Sequence, residues 1–317
     1  MKRLPTIVAL FAVMVSSVLA QPQGAQFPPR QGQGGPQFPP RQGGAPQFAQ
    51  PKVPEGTIIK LWQNGNPEKD YVARPSDFQK RMLPEGYMEP KLEVYKASNP
   101  NGICILECPG GGYTMLSDSH EGRNMAEWFN SLGITYCVLE YRMPFGFNEV
   151  PLHDAERAMQ IIHENAETWG VKKIGIMGCS AGGHLASTLA THYSSAETRP
   201  DFQILMYPVI TMDKEYTHMG SRDNLLGENP SDELVNKFSN EKQVNSSTPP
   251  AIMILSADDN TVNPRNSIEY YYALRQAGVS ASLHIYPVGG HGYGNMDFFP
   301  YKPQWTSEVE KWLQQLK

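Results

Sequence analysis

Between residues 103 and 286, short apolar runs alternate with stretches that have the 3.6-residue period of a helix. The runs are bounded by glycine or proline and do not alternate polar with apolar residues, as expected for strands that are buried on both faces. The predicted strands are residues 103–107, 134–139, 173–177, 202–207, 251–255 and 282–286. This pattern predicts an α/β fold with a mostly parallel central sheet flanked by helices, which binds its ligands at the carboxyl ends of the strands.

The charge and cysteine content of the chain argue against some classes of function. Lys and Arg number 27 and Asp and Glu number 32, which gives a net charge of −5 in a chain of 317 residues. The absence of a basic excess argues against nucleic acid as a partner. The 4 cysteines form no C-x-x-C pair, which argues against a structural zinc site. Cys104 and Cys108 are four residues apart on or after one predicted strand, so a disulfide between them would need a bend, and Cys137 and Cys179 lie at or near other buried strands. We therefore expect free thiols.

The first 20 residues have the pattern of a signal peptide. Lys2 and Arg3 precede an apolar run at 7–15, and the small residues Val18 and Ala20 fit a cleavage site near Ala20. The run is shorter than the roughly 20 residues that span a bilayer, so no stable membrane insertion is expected. A buried N-terminal helix is the alternative, but no amphipathic period supports it. We expect a secreted or periplasmic protein.

Residues 21–52 differ in composition from the rest of the chain. The sequence Gln-Phe-Pro-Pro-Arg-Gln-Gly occurs at 26–32 and again at 37–43. Proline and glycine at this density cannot build a core, so the segment is predicted to be a disordered tether. A docking motif that uses Phe27, Phe38 and Phe48 is the alternative. The globular domain is then expected at 53–317.

The sharpest motif follows the predicted strand 173–177. Residues Gly178 to Gly182 read G-x-S-x-G and precede a helical stretch, which is the strand–turn–helix context of a nucleophilic serine. Gly178 and Gly182 would relieve crowding on the sharp turn, so Ser180 is the candidate nucleophile. The alternative is a glycine-rich helix start that only packs closely or binds phosphate.

A serine needs a base, and the base needs a carboxylate. Among 8 histidines, His291 alone lies on a glycine-flanked loop directly after a predicted strand near the C-terminus. The loop after strand 251–255 offers Asp258 and Asp259. Either carboxylate satisfies the residue pattern, although Asp258 is also suited to forming the turn itself.

The loop after the predicted strand 103–107 supplies candidate hydrogen-bond donors for an oxyanion. Residues Pro109 to Tyr113 read P-G-G-G-Y, and successive glycines let backbone N–H groups turn toward a bound atom. The N–H groups of Gly111, Gly112 and Ala181 are predicted to form the oxyanion hole. A simple glycine turn is the alternative.

With these residues assembled, the chain resembles the α/β-hydrolase superfamily, and more narrowly its secreted acetyl-xylan-esterase-like carbohydrate esterases. The resemblance rests on the blocks 61–65, 108–113, 139–142, 151–155, 174–186, 249–250 and 289–294, and on the order serine, aspartate, histidine along the chain. The family's D-x-x-V pattern matches Asp259 to Val262 and so favours Asp259 over Asp258. Arg142 and Asp154 fall within the matching blocks, and the role expected of them is structural rather than catalytic, either an ion pair or a carboxylate at a helix start.

The resemblance implies an α/β-hydrolase fold without a large cap domain. It also implies a serine carboxylesterase that deacetylates plant polysaccharide or oligosaccharide, with xylan as the first candidate. Such an enzyme needs no metal or cofactor. A feruloyl or other short-chain carboxylesterase would use the same machinery. An alternative of another class is a non-catalytic carbohydrate-binding protein on a hydrolase fold.

Overall fold

The computed structural model describes residues 53–83 and 86–316. The predicted signal peptide (1–20) and tether (21–52) lie outside that part. Within it, one sheet of 8 strands runs in the order β1-β2-β4-β3-β5-β6-β7-β8. The strands are β1 (Thr57–Lys60), β2 (Lys91–Tyr95), β3 (Ile103–Cys108), β4 (Thr135–Glu140), β5 (Lys173–Cys179), β6 (Phe202–Met206), β7 (Ala251–Ser256) and β8 (Ala281–Tyr286).

Strands β3 to β8 pair in parallel, and β1 and β2 are antiparallel at one edge. The mostly parallel α/β sheet is thus confirmed, and the six predicted strands correspond to β3 to β8. The sequence did not predict β1 and β2. Strand β1 is largely exposed, and in β2 the polar residues Lys91 and Glu93 alternate with buried ones, so neither carries the continuous apolar run that marks a central strand.

Nine α-helices occupy the described residues. They are α1 (Asp77–Met82), α2 (Ala126–Ser131), α3 (Val150–Glu164), α4 (Ala166–Trp169), α5 (Ala181–His192), α6 (Met219–Leu226), α7 (Asp232–Lys237), α8 (Arg265–Gln276) and α9 (Lys302–Gln315). Helices α3 and α4 follow one another and are separated only by Asn165. Helix α8 begins directly after Pro264, and the side chain of Asn263 accepts the N–H of Arg265 at 3.0 Å.

Helices cover both faces of the sheet, which produces two apolar cores. Met159, Leu185 and Leu274, from α3, α5 and α8, belong to one core, whereas Phe129 and Trp305, from α2 and α9, belong to the other. Every residue of β3, β4, β6 and β7 is therefore buried, which is why their sequences are mostly apolar.

Arg142 and Asp154 form a buried ion pair near the amino end of α3, which is one of the two structural roles expected of them. The guanidinium Nη2 lies 2.6 Å from Asp154 Oδ1, and both side chains are fully buried. Arg142 Nη1 also contacts Glu68 at 2.8 Å. The pair joins the segment after β4 to the helix that covers it.

The longest connection between strands in the described part joins β6 to β7 and carries α6 and α7. No helix among residues 53–83 and 86–316 has the length and apolar character needed to cross a bilayer. All 4 cysteines are buried free thiols, as expected.

Candidate active site

The turn after β5 holds Ser180 in a strained backbone conformation. Ser180 has φ 54° and ψ −119°, a region that residues with side chains rarely adopt. A Cβ on Gly182 would lie 1.9 Å from the carbonyl oxygen of Cys108, and one on Gly178 would lie 2.2 Å from the carbonyl oxygen of Gly182. Because the opposing atoms are backbone, only glycine fits at these two positions.

The loops after β7 and β8 bring a carboxylate and an imidazole to this serine. His291 Nε2 lies 2.9 Å from Ser180 Oγ, and His291 Nδ1 lies 2.7 Å from Asp259 Oδ2. The other carboxylate oxygen of Asp259 accepts the N–H groups of Thr261 and Val262, both at 2.9 Å. Asp259 is 6% exposed. The three side chains selected from the sequence therefore form one continuous hydrogen-bonded chain.

Asp258 points elsewhere. Its Oδ1 accepts the backbone N–H of Gly290 at 2.8 Å, and this bond holds the pKa of the Asp258 carboxyl below its usual value. The side chain is exposed and ties the loop after β7 to the loop after β8. Of the two aspartates that the residue pattern left open, the structure brings Asp259 to His291.

His184, the histidine next to the turn, belongs to the core. It is fully buried beneath the turn, where Tyr113 Oη lies 2.9 Å from Nδ1 and the Phe238 carbonyl oxygen lies 2.8 Å from Nε2. The carbonyl accepts from Nε2–H, so Nδ1 accepts from the tyrosine hydroxyl. Burial lowers the pKa of His184 to about 4, which keeps the ring neutral.

The glycine loop after β3 packs against the serine turn. Gly111 and Gly112 have φ of 127° and 65°, and Gly110 N–H donates to Glu121 Oε2 at 3.0 Å. Among the described residues, no acceptor bonds the N–H groups of Gly111 and Gly112. Ala181 begins α5, so its N–H has no acceptor within the helix. The three amides predicted as oxyanion donors are thus free to donate.

Ser180 and His291 open into a cavity of about 340 Å³ that Gly111 and Gly112 also line. The other lining residues are Phe78, Thr114, Met115, Ser117, His120, Glu121, His218, Gly220, Asn224, Thr261 and Gly292. No group of three or more His, Cys, Asp or Glu side chains in the described part of the chain is arranged to hold a metal ion.

Sequence reasoning missed several of these lining residues. No predicted strand ends directly before His218, so the sequence did not select it, yet it caps the amino end of α6 on the cavity wall. Asn224, one helical turn beyond Gly220, donates to the Gly112 carbonyl oxygen at 2.9 Å. Their four-residue spacing places Gly220 and Asn224 on one face of α6. The sequence does not show which way that face points.

Glu121 and Tyr207 were also missed. The Tyr207 hydroxyl donates to Glu121 Oε1 at 2.8 Å and accepts the N–H of Gly294 at 2.8 Å. Burial raises the pKa of the Glu121 carboxyl, while the Tyr207 and Gly110 donors oppose that rise. These contacts join the glycine loop after β3 to the loop that carries His291.

Comparison with known proteins defines the class. A family model described as alpha/beta hydrolase fold matches residues 105–295, and the chain belongs to this family. A solved acetyl ester-xyloside bifunctional hydrolase from Caldicellulosiruptor lactoaceticus is 36% identical, with a TM-score of 0.73 over 83% of this chain and 97% of that one.

Two curated relatives indicate a narrower group of proteins within this family. An acetylxylan esterase of Xylanibacter ruminicola is 42% identical over 232 residues, which cover 71% of this chain and 48% of the relative. An endo-1,4-beta-xylanase B of Butyrivibrio fibrisolvens is 39% identical over 214 residues, which cover 62% and 33%. The chain spans half or less of the length of these relatives. The resemblance to the acetyl-xylan-esterase-like branch is confirmed.

Proposed function

We propose that this protein is a serine carboxylic-ester hydrolase that removes acetyl groups from plant polysaccharide or oligosaccharide, with acetylated xylan as the first substrate to test. The observation that carries the proposal is the hydrogen-bonded chain from Ser180 through His291 to Asp259 beside unpaired backbone amides. Serine, base and carboxylate in this arrangement are the requirements of nucleophilic acyl transfer.

In this mechanism Ser180 Oγ attacks the ester carbonyl and its proton passes to His291 Nε2. Asp259 accepts from His291 Nδ1–H, so the lone pair of the neutral ring lies on Nε2 and the imidazolium is stabilised once it forms. The N–H groups of Gly111, Gly112 and Ala181 stabilise the oxyanion. His291 then protonates the departing sugar oxygen, and water, deprotonated by the same imidazole, releases acetate from Ser180.

The volume of the cavity favours an ester with a small acyl group. A cavity of about 340 Å³ is near the lower end of the roughly 300–1,000 Å³ range of ligand sites. The space must hold the acyl group and part of the alcohol. Phe78 lines it while remaining 55% exposed, which presents an apolar ring to the C–H face of a pyranose. The curated relative named as an acetylxylan esterase supports the same substrate class.

Acetate release from acetylated xylan tests the proposal directly. The wild-type protein should release acetate, and Ser180→Ala should lower kcat by at least about 10⁴-fold. Ser131→Ala is the matched control, because this exposed serine lies outside the cavity and bonds only to the Trp128 carbonyl oxygen. Binding of xylan by the wild type without any turnover would instead support a carbohydrate-binding protein.

A feruloyl or other short-chain carboxylesterase is the second candidate, since the same groups would serve it. Feruloylated arabinoxylan that also carries acetyl groups separates the two candidates in one reaction. We expect acetate without ferulate. Release of ferulate at a comparable rate would overturn the acetyl preference.

We also propose that residues 1–20 direct export and that residues 21–52 tether the domain at 53–317. The charged start, apolar run and small residues near Ala20 support export. Mass spectrometry of the protein expressed with its full sequence should find a mature chain beginning at Gln21 outside the cytoplasm. A chain that keeps residues 1–20 after expression in an export-competent host would contradict this.

A further inference from the structure

His218 lies on the cavity wall beside the glycine loop. It is half-buried, immediately precedes α6, and has Cε1 3.6 Å from the position that a Cβ on Gly112 would take. It lines the same cavity as Ser180 and His291. The mechanism proposed above leaves it without a role.

The contacts of His218 determine which ring nitrogen carries the proton. The backbone N–H of Ser221 points at His218 Nδ1 from 3.2 Å, and the Ser221 hydroxyl lies 2.8 Å from the same atom. A backbone N–H can only donate, so Nδ1 holds a lone pair and the proton of the neutral ring is on Nε2. Burial, together with the nearby His291, lowers the pKa of His218 and favours this neutral form.

The Nε2–H group of His218 is therefore a donor with a defined direction. Among the described residues, no protein acceptor forms a hydrogen bond with it, and Gly220, where a Cβ would lie 3.6 Å from Nε2, offers no side chain. Its natural acceptor is an oxygen atom of the bound substrate, because leaving a partly buried donor unpaired costs free energy.

The chemistry of an acetyl ester identifies that oxygen. The carbonyl oxygen faces the amides of Gly111, Gly112 and Ala181, and the ester oxygen receives its proton from His291. The acetyl methyl group has no oxygen. The atoms that remain are the hydroxyl and ring oxygens of the sugar that carries the ester.

We propose that His218 Nε2–H donates a hydrogen bond to a sugar oxygen adjacent to the acetylated position, which makes His218 a determinant of specificity for esters of polyols. This inference rests on the proposed function. It predicts that this one contact accounts for part of the enzyme's preference for acetylated sugars over esters of simple alcohols.

Two substitutions test the proposal. In His218→Asn the side-chain oxygen still accepts the Ser221 N–H and caps α6, but the shorter side chain ends before the position of Nε2. His218→Ala removes both functions. The measured quantity is the ratio of kcat/KM for acetylated xylo-oligosaccharide to kcat/KM for p-nitrophenyl acetate, whose alcohol has no neighbouring hydroxyl.

Both substitutions should lower this ratio by about 5- to 10-fold, the loss expected for one uncharged hydrogen bond. Ser231→Ala is the control, because it removes the cap of α7, where Ser231 Oγ accepts Leu234 N–H at 3.2 Å, outside the cavity. The ratio for Ser231→Ala should equal that of the wild type.

Each alternative outcome overturns a stated part of the inference. If His218→Asn keeps the wild-type kcat/KM for both substrates, His218 serves only as a helix cap. If kcat/KM falls by the same factor for both substrates, so that the ratio is unchanged, His218 assists the oxyanion rather than the sugar. If the wild type cleaves p-nitrophenyl acetate but no acetylated sugar, the proposed substrate fails and the sugar contact fails with it. If wild type and variants deacetylate the sugar equally well, only the sugar contact is refuted.

Discussion

Replacing one of two adjacent aspartates should nearly abolish activity, and replacing the other should not. In Asp259→Asn, the N–H groups of Thr261 and Val262 still require an acceptor, so the amide oxygen stays with them. The NH₂ group then takes the place of Oδ2 and donates to His291 Nδ1. The ring proton moves to Nε2 and points at Ser180, which leaves the serine without a base.

The expected magnitude follows from this change of tautomer. A carboxylate-to-amide substitution that produces the wrong histidine tautomer costs about 10⁴-fold in kcat in serine proteases, which corresponds to about 5 kcal/mol of barrier. In Asp258→Asn the amide oxygen can still accept the Gly290 N–H. We expect that variant to stay within about 3-fold of the wild type, since an exposed hydrogen bond is retained.

Initial rates of p-nitrophenyl acetate hydrolysis measure both variants in parallel, and thermal unfolding establishes that each variant is folded. The reasoning is refuted if Asp259→Asn retains more than about a tenth of the wild-type kcat, or if Asp258→Asn loses more than about 100-fold. The first result would mean that the carboxylate 2.7 Å from His291 does not set the tautomer on which the rate depends, and the second would mean that Asp258 shares the role assigned to Asp259 alone.

Three other substitutions each test a single contact. Gly182→Ala places a Cβ 1.9 Å from the Cys108 carbonyl oxygen, so the serine turn and the glycine loop must move apart. In steady-state assays kcat/KM should fall by at least about 100-fold, and wild-type kinetics would contradict this. The pKa of His184 is about 4 in the folded protein and 6.5 when unfolded. The contribution of the neutral ring to the free energy of unfolding is therefore complete above pH 6.5 and is lost as the pH falls toward 4. Between pH 7 and pH 4, the free energy of unfolding measured in urea should fall by about 3 kcal/mol more for the wild type than for His184→Gln. Equal falls would refute the assignment of His184 as a neutral buried ring. Asp154→Ala leaves the buried guanidinium of Arg142 without its main partner and should lower the free energy of unfolding by about 3–5 kcal/mol in urea, whereas a loss under 1 kcal/mol would exclude the buried pair as a stabilising contact.

The parts of the site that were predictable from sequence are those that local backbone geometry determines. The glycines of the serine turn and the glycine loop each follow a buried strand, so their positions could be assigned without knowledge of the packing. The parallel order of β3 to β8 then brings strand ends that are far apart in sequence to one edge of the sheet. His291 and the pair of aspartates could be selected on that basis alone.

The choice between Asp258 and Asp259 could not be made from local pattern and needed the family resemblance. Both residues follow the same strand, and their side chains differ only in direction, which depends on how the loop folds over Thr261 and Val262. His218 was missed for a related reason. It lies on the long connection after β6, where the register of α6 against the cavity depends on tertiary contacts that no short window of sequence contains.

The buried polar contacts behind the site explain why two loops that are distant in sequence hold one geometry. Gly110 N–H and the Tyr207 hydroxyl donate to the two oxygens of Glu121, and the same hydroxyl accepts from Gly294 N–H. Displacing either loop would leave a buried carboxylate or amide unpaired, at a cost of about 1–3 kcal/mol for each group. Tyr207, at φ 35°, is itself held in an unfavourable backbone conformation. The Tyr207 hydroxyl reaches the glycine loop only through Glu121 and bonds directly to Gly294 N–H, so the positions of the Gly111 and Gly112 amides and of His291 are linked in the folded state before any ester binds.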